Sequence, residues 1–458
     1  MSEFSKIYFI GIGGIGMSAL ARYFKFKGKA VGGYDRTPST LTEALQAEGI
    51  EVHYDDNPDR IPTDKASTLV VYTPAVPDSL RELQYVREKG YPLLKRSRAL
   101  GDIAAGQTCL AVAGTHGKTT TSTLLAHIMT EAGGGCTAFL GGISKNYNSN
   151  LLTSHKNVIV AEADEYDRSF LQLSPSIAVI TAMDPDHLDI YGTEEEYRKA
   201  FGEFAAKVSK TLIIKKGLDL SQSGSKAAVK TYSLSGENAD FQALGAKADS
   251  SGHFVYDLAW PGGLLRDIRV GTPGWVNAEN SVAAAAAALS QGLKPEAVRM
   301  AISSFKGVRR RLDERFNSPR AAYIDDYAHH PQELQAAISS IREIFPGRKL
   351  TGIFQPHLYT RTRDFAPEFA AALSKLDRLV LLDIYPAREE PIEGVDSTLI
   401  LRQASLPDKR LLRKEELLEW IDNEDIDVLA TFGAGDIDRL VQPIEALMKR
   451  KYAPAQSS

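Results

Sequence analysis

Short apolar runs alternate along the chain with longer stretches whose apolar positions recur at helical spacing. Residues 7–10, 30–34, 68–72, 110–113, 158–161, 178–181, 321–325, 350–354 and 379–382 read as buried strands. Helical patterns follow several of them, as at 17–26 and 121–130. This alternation predicts βαβ units and parallel sheets. Glycine-containing loops follow three of the strands, and fresh strands begin after Ala104-Ala105-Gly106-Gln107 and after the basic segment 306–311. The reading is therefore three α/β domains in series, at 1–105, 106–312 and 313–458.

Composition narrows the class. Lys and Arg total 54 and Asp and Glu total 58, a net charge of -4, with 24% charged and 43% hydrophobic residues. That balance excludes a disordered chain and a generally basic nucleic-acid binder. Two cysteines, Cys109 and Cys136, exclude a disulfide framework and a four-cysteine zinc site. The N-terminus does not pattern as a signal peptide, and the apolar stretch 282–289 is far shorter than the ~20 residues of a membrane span. A soluble, cytoplasmic protein is expected, with no nucleic acid partner, no membrane insertion and the oligomeric state open.

The first glycine loop, Gly11-Ile12-Gly13-Gly14-Ile15-Gly16, follows a strand and opens a helix, and Asp35 stands at the end of the next strand. Glycines let the backbone approach a pyrophosphate, the helix N-terminus favours its charge, and an acid there commonly accepts from a ribose hydroxyl. A tight turn without a ligand would show the same glycines. The pattern also does not separate NAD from another nucleotide diphosphate, so an NAD-dependent oxidoreductase stays open here. The second loop, Gly114-Thr115-His116-Gly117-Lys118-Thr119-Thr120, also lies between strand and helix. Its amides suit the phosphates of ATP, Lys118 their outer oxygens, and Thr119 a Mg²⁺ ion. Val112 stands where the common pattern has its first glycine, which leaves Gly114 as the turn residue. Strand ends also carry Glu162-Ala163-Asp164-Glu165 and Asp184-Pro185-Asp186-His187, where α/β ligands sit.

Together these residues resemble the Mur ligase family, ATP-dependent amide-bond-forming ligases of bacterial cell-wall precursor synthesis. The family loop G-T-x-G-K-[ST]-[ST] is similar to Gly114–Thr120, its glutamate to Glu162, and its D-H-x-x-x-Y motif to Asp186-His187-Leu188-Asp189-Ile190-Tyr191. Asn277 and Asn280 resemble its adenine-side asparagines, Arg311 belongs to its basic hinge segment, and Thr73 and Ala75 to its second nucleotide-sugar loop. Asp325, Tyr327, His329 and Arg361 fall in its last-domain motifs, DDYAHHP and FQPH-Y-TRT. The resemblance implies a Rossmann-like nucleotide-sugar domain, a P-loop ATPase-like central domain and a Rossmann-like C-terminal domain. The first loop, with Gly11, Gly13, Gly14, Gly16 and Asp35, would then hold a UDP-sugar. Lys118, Glu162 and His187 would be catalytic, and Thr119, Glu162 and His187 would hold Mg²⁺, with Mn²⁺ as a substitute.

Within the family, the motif set is most like the branch that takes UDP-N-acetylmuramate, L-alanine and ATP through an acyl phosphate. A recycling ligase that adds a tripeptide to the same nucleotide sugar is the alternative, and a catalytically silent nucleotide-binding regulator is another. Domain closure on binding is expected. Arg361 and His329 are the expected partners of the amino-acid carboxylate. Several positions depart from the family pattern: Val276 replaces a histidine, Leu358 an arginine, Ala387-Arg388-Glu389-Glu390 a more common Ala-Gly-Glu-x, and Phe201 lies nearest a lysine that relatives carbamylate, with Lys199 two residues away.

Overall fold

The computed structural model describes the chain except residues 2, 186, 187, 222, 236, 237, 250, 388 and 453–458. It divides into two compact units, Met1–Lys247 with Phe254–Thr272 and Val276–Gly307, and Ala248–His253 with Pro273–Trp275 and Val308–Ser458. The first unit holds both regions read from sequence as separate N-terminal and central domains.

Its first sheet is built from β1 (Lys6–Ile10), β2 (Ala30–Tyr34), β3 (Glu51–His53), β4 (Thr68–Tyr72) and β5 (Leu93–Lys95), in the order β3-β2-β1-β4-β5. All these pairs are parallel. The order reverses at β1, which opens a crevice beyond the carboxyl ends of β1 and β4. The helix Ile15–Phe26 leaves β1 at that crevice.

The second sheet contains β6 (Thr108–Ala113), β7 (Thr137–Ser144), β8 (Ser149–Leu152), β9 (Val158–Glu162), β10 (Ile177–Ile180), β11 (Thr211–Lys215), β12 (Ala228–Ser233), β13 (Phe241–Ala248), β14 (Phe254–Trp260) and β15 (Gly263–Arg269). Its order is β15-β14-β13-β12-β11-β10-β6-β9-β7-β8. Strand β6 lies between β10 and β9, parallel to both, so the loops after all three strands open on one edge. Behind that edge the helix Trp275–Ser290 buries its alanine run, Ala283 to Ala288, completely. Only small side chains allow such close packing on every side.

One apolar core runs under both sheets of this unit. The helix Ile15–Phe26 packs on the β7–β8 edge, with the Tyr23 and Phe139 rings 5.3 Å apart. The buried Asn150 amide donates to Ile15 O at 2.6 Å and Ser18 Oγ at 2.9 Å, and its oxygen accepts from Arg22 at 2.5 Å. The helix that opens the first glycine loop is thus fixed to the sheet that carries the second.

The other unit carries β16 (Asp313–Asn317), β17 (Ala322–Asp326), β18 (Leu350–Phe354), β19 (Arg378–Leu381), β20 (Asp408–Leu411) and β21 (Val428–Phe432). Their order is β16-β17-β21-β18-β19-β20, with only the β16 pairing antiparallel. Apolar cores cover both faces. No helix among the described residues is long and apolar enough to cross a membrane.

One buried carboxyl, Glu82 on the helix Arg81–Glu88, makes stability depend on pH. Tyr8 Oη donates to Glu82 Oε2 at 2.7 Å, lies 2.6 Å from His53 Nε2, and Asn57 N–H reaches Glu82 Oε1 at 3.1 Å. Burial pushes the Glu82 carboxyl from 4.5 up to about 7, against the lowering effect of these donors. The folded state therefore binds this proton more tightly than the unfolded chain. The resulting stability is complete below about pH 4.5 and lost as pH rises through about 7, a change of roughly 3 kcal/mol. Glu82→Gln should flatten that part of the curve. Urea unfolding of both proteins at pH 5 and pH 8 checks it; parallel pH dependence in the two would refute the assignment.

Candidate active site

The first glycine loop is held by its neighbours. Gly11 takes a positive φ of 87°, and a Cβ there would meet Thr73 Cγ2 at 2.6 Å. Thr73 and Ala75 follow β4, and Thr73 brings this second loop against the first. Gly14 caps the helix. Gly13 N–H donates to Asp35 Oδ2 at 2.7 Å. Asp35 thus braces the loop with the oxygen expected to face a ribose. Gly16 has a neighbour that sequence spacing did not show: a Cβ there would come within 2.9 Å of Arg96 Nη1.

The second loop leaves β6 through Gly114, at φ 131°, and Gly117, at φ 79°, before the helix Lys118–Glu131. Thr115 Oγ1 donates to Asp184 O and contacts Tyr197 Oη, each at 2.8 Å, and His116 Nε2 lies 4.0 Å from Asp184 Oδ2. Thr181 Oγ1 donates to Ala113 O and His116 O, and a Cβ at Gly114 would collide with it. Lys118 folds back on this frame. Its Nζ donates to Gly114 O at 2.7 Å and pairs with Glu165 Oε1 at 2.8 Å. Glu165 is 1% exposed, and its Oε2 is buried without a hydrogen-bond partner among the described residues. Burial opposes the Lys118 charge, but Glu165, Asp164 and Glu162 outweigh it and raise its pKa. The ammonium is therefore retained and already aimed across its own loop.

Glu162 ends β9 on the other side of β6. A Cβ at Gly141 of β7 would collide with the Glu162 carboxylate, so that glycine keeps its space open. Thr119 lies buried in the first turn of the helix, and Thr120 is half-buried beside it. A hydroxyl and a carboxylate on adjacent elements are hard oxygen donors of the kind Mg²⁺ takes. His187 and Asp186 lie outside the described residues. Among those described, no group of three or more His, Cys, Asp or Glu side chains is arranged for a metal. Tyr191 closes the acidic loop: its Oη donates to Glu165 O at 2.5 Å. Phe201 is wholly buried against Phe170 and Tyr197, and Lys199 is exposed and paired with Glu196 at 3.2 Å.

Asn277 and Asn280 are buried on the helix Trp275–Ser290. Asn280 Oδ1 accepts from Thr121 Oγ1 at 3.1 Å, and a Cβ at Gly117 would come within 2.7 Å of it. Asn280 therefore supports the phosphate loop itself.

In the other unit, Asp325 is buried and engaged. It accepts from Arg310 Nε at 3.1 Å and Thr431 Oγ1 at 2.7 Å. That makes it a strut for the basic segment. Asp326 holds the same segment through Leu312 N–H at 2.7 Å. Arg310 and Arg311 both lie over the Tyr327 ring, at 5.2 Å. His329 stands 5.1 Å from Tyr327 and 6.0 Å from His357, ring to ring. Burial, with Arg361 and Arg311 nearby, lowers the His329 pKa despite Glu333. Arg361 Nη1 is buried without a hydrogen-bond partner among the described residues. Two guanidinium groups around a neutral imidazole make a place for an anion. Leu358 precedes the helix Tyr359–Asp364 at φ 72°, a left-handed conformation a leucine adopts only under constraint.

These sites sit in a chain that has known relatives along its whole length. Residues 6–108 match the Mur ligase family, catalytic domain; residues 112–288 the Mur ligase middle domain; and residues 310–435 the Mur ligase, glutamate ligase domain. The UDP-N-acetylmuramate–L-alanine ligase of Parabacteroides distasonis is 51% identical over 458 residues, covering 98% of each chain. That of Flavobacterium johnsoniae is 47% identical over 453 residues, covering 98% of this chain and 99% of its own. Among solved structures, the UDP-N-acetylmuramate-alanine ligase of Thermotoga maritima superposes with a TM-score of 0.82 at 27% identity, over 98% of this chain and 100% of that one. A murein peptide ligase from Psychrobacter arcticus shares the fold, with a TM-score of 0.73 at 20% identity, over 98% of this chain and 100% of that one. The chain belongs to the Mur ligase family.

Proposed function

We propose that the protein joins L-alanine to UDP-N-acetylmuramate at the expense of ATP, an amide-bond ligation of peptidoglycan precursor synthesis. The observation that carries this is the pairing of two different phosphate loops in one compact unit, Gly11–Gly16 for a nucleotide sugar and Gly114–Thr120 for ATP. The end-to-end likeness to L-alanine ligases supports it. Because the reaction consumes ATP, its place is the cytoplasm.

In this reading the muramate carboxylate attacks the γ-phosphorus of ATP, ADP leaves, and an acyl phosphate forms. The amine of L-alanine attacks the acyl carbon, loses a proton, and inorganic phosphate departs with the C–O bond electrons. No protein nucleophile is needed; the demand is for charge around the transferring phosphoryl group. Lys118 meets it once ATP replaces Gly114 O and Glu165 as its partners. A Mg²⁺ ion on ATP, held by Thr119, Glu162 and His187, would neutralise further charge. Arg361 and His329 receive the alanine carboxylate.

Phosphate release with ATP, Mg²⁺ and UDP-N-acetylmuramate should depend on L-alanine and be weak with a tripeptide. Calorimetry should show binding of UDP-N-acetylmuramate and none of NAD or NADP. Tight NAD binding without nucleotide-sugar binding would make the protein an oxidoreductase. Efficient tripeptide ligation would make it a recycling ligase.

A further inference from the structure

Arg96 touches both halves of the first unit's chemistry. It opens the helix Arg96–Ala104 directly after β5, at the carboxyl edge of the first sheet, where the Gly11–Gly16 loop also lies. Its side chain rests on Gly16: a Cβ there would sit 2.9 Å from Nη1 and 3.1 Å from Cδ. The last glycine of the loop is thus accounted for by the close approach of a guanidinium. On its other side, Nη2 lies 3.4 Å from Asp164 Oδ2, with the two side chains 22% and 37% exposed. Arg96, Asp164 and Glu162 line one small crevice.

Asp164 organises the acidic loop. Its Oδ1 accepts from Tyr166 N–H at 3.1 Å and its carbonyl from Phe170 N–H at 2.8 Å. The next residue, Glu165, is the carboxylate paired with Lys118. A continuous series of contacts therefore runs from Gly16 through Arg96 and Asp164 to the lysine of the ATP loop.

We propose that Arg96 binds the diphosphate of the nucleotide sugar at the Gly11–Gly16 loop and, through Asp164, sets the acidic loop for ATP. The inference rests on the ligase reading above. A guanidinium presents five donors in a fixed fork, so it holds a phosphate oxygen and a carboxylate at once. A lysine ammonium is a point charge on a flexible stem and does not bridge two anions in fixed geometry. With the diphosphate in place, Arg96 is pinned from both sides, and Asp164 with it. The acidic loop is then held for ATP, so each ligand strengthens the binding of the other by the same factor.

The test is calorimetric linkage. UDP-N-acetylmuramate and a non-hydrolysable ATP analogue with Mg²⁺ are each titrated alone and in the presence of the other, into wild type, Arg96→Ala, Arg96→Lys and Asp164→Asn. In wild type the nucleotide sugar should tighten analogue binding about tenfold. Arg96→Ala should weaken nucleotide-sugar binding by about 10- to 100-fold, the range for one charge-assisted contact, and bring the coupling factor close to one. Arg96→Lys should recover part of the affinity and none of the coupling. Asp164→Asn should leave nucleotide-sugar affinity within a few-fold of wild type and still lose the coupling, a result that a merely misfolded loop would not give. Unchanged nucleotide-sugar affinity in Arg96→Ala, or wild-type coupling in either Arg96→Ala or Asp164→Asn, overturns the proposal. Absence of nucleotide-sugar binding in the wild type would instead overturn the ligase reading beneath it.

Discussion

Lys118→Ala should abolish ligation while the chain stays folded. In the structure the ammonium is held over its own loop by Gly114 O and by Glu165, at 2.7 and 2.8 Å. It needs only to exchange partners to reach the outer phosphates of ATP. Removing an aligned charge from a phosphoryl-transfer site costs ~4 kcal/mol or more, about a thousandfold in turnover. The substitution also strands Glu165, a carboxylate 1% exposed. Breaking a buried pair from one side costs about 3–5 kcal/mol, so Lys118→Ala should also melt at a lower temperature. The double variant Lys118→Ala/Glu165→Gln separates the two effects. It removes the stranded charge, so it should recover stability and recover no activity. Restored turnover in the double variant, or near-normal turnover in Lys118→Ala, would remove Lys118 from the chemistry.

The architecture was legible because its signals are local. Buried strands such as Thr68–Tyr72 and Leu350–Phe354 are continuous apolar runs in both sequence and structure. Glycines that the chain needs at positive φ, Gly11, Gly114 and Gly117, stand at strand–helix turns where a motif shows them. The strands β12 to β15 were not read from sequence. They are half-exposed, as at Gly263–Arg269, and their apolar pattern is broken by polar and glycine positions. A weak alternation of this kind does not stand out from loop sequence.

The site divides in the same way. The phosphate loop announces itself, because Gly-Lys-Thr between strand and helix is a contiguous signal. Its supports do not. Glu165 pairs with Lys118 across 47 positions, Thr181 reaches the loop across 65, and Arg96 meets Asp164 across 68. Nothing in a single sequence marks which member of the Glu162–Asp167 run turns toward the lysine. Asp325 is a further case. Its motif places it on the amino-acid side, but only the structure shows its partners there, Arg310 and Thr431. A charged residue at zero exposure must have its partners inside the protein, and sequence does not report exposure.

Arg361→Ala should raise the Michaelis constant for L-alanine by about 100-fold and leave that for ATP unchanged. L-Alanine offers an ammonium, a carboxylate and one methyl group, so its recognition rests mainly on charge. Arg361 has Nη1 buried without a hydrogen-bond partner among the described residues, and His329 beside it is held neutral. A carboxylate there would satisfy that nitrogen with a charge-assisted bond, worth roughly 2–3 kcal/mol. The methyl is worth only ~1 kcal/mol, so glycine should be accepted at several-fold lower efficiency. A tripeptide that begins with L-alanine carries the same amine, but its first carboxylate is an amide. It would leave the guanidinium unsatisfied, and a site built on a buried charge rejects such an analogue more strongly than it rejects a missing methyl. Arg361→Lys should restore part of the alanine affinity, because a cation returns without the planar fork. Steady-state kinetics with L-alanine, glycine and the tripeptide decide the matter. Alanine kinetics unchanged in Arg361→Ala would place the carboxylate anchor elsewhere in the Tyr327, His329 and Arg311 cluster.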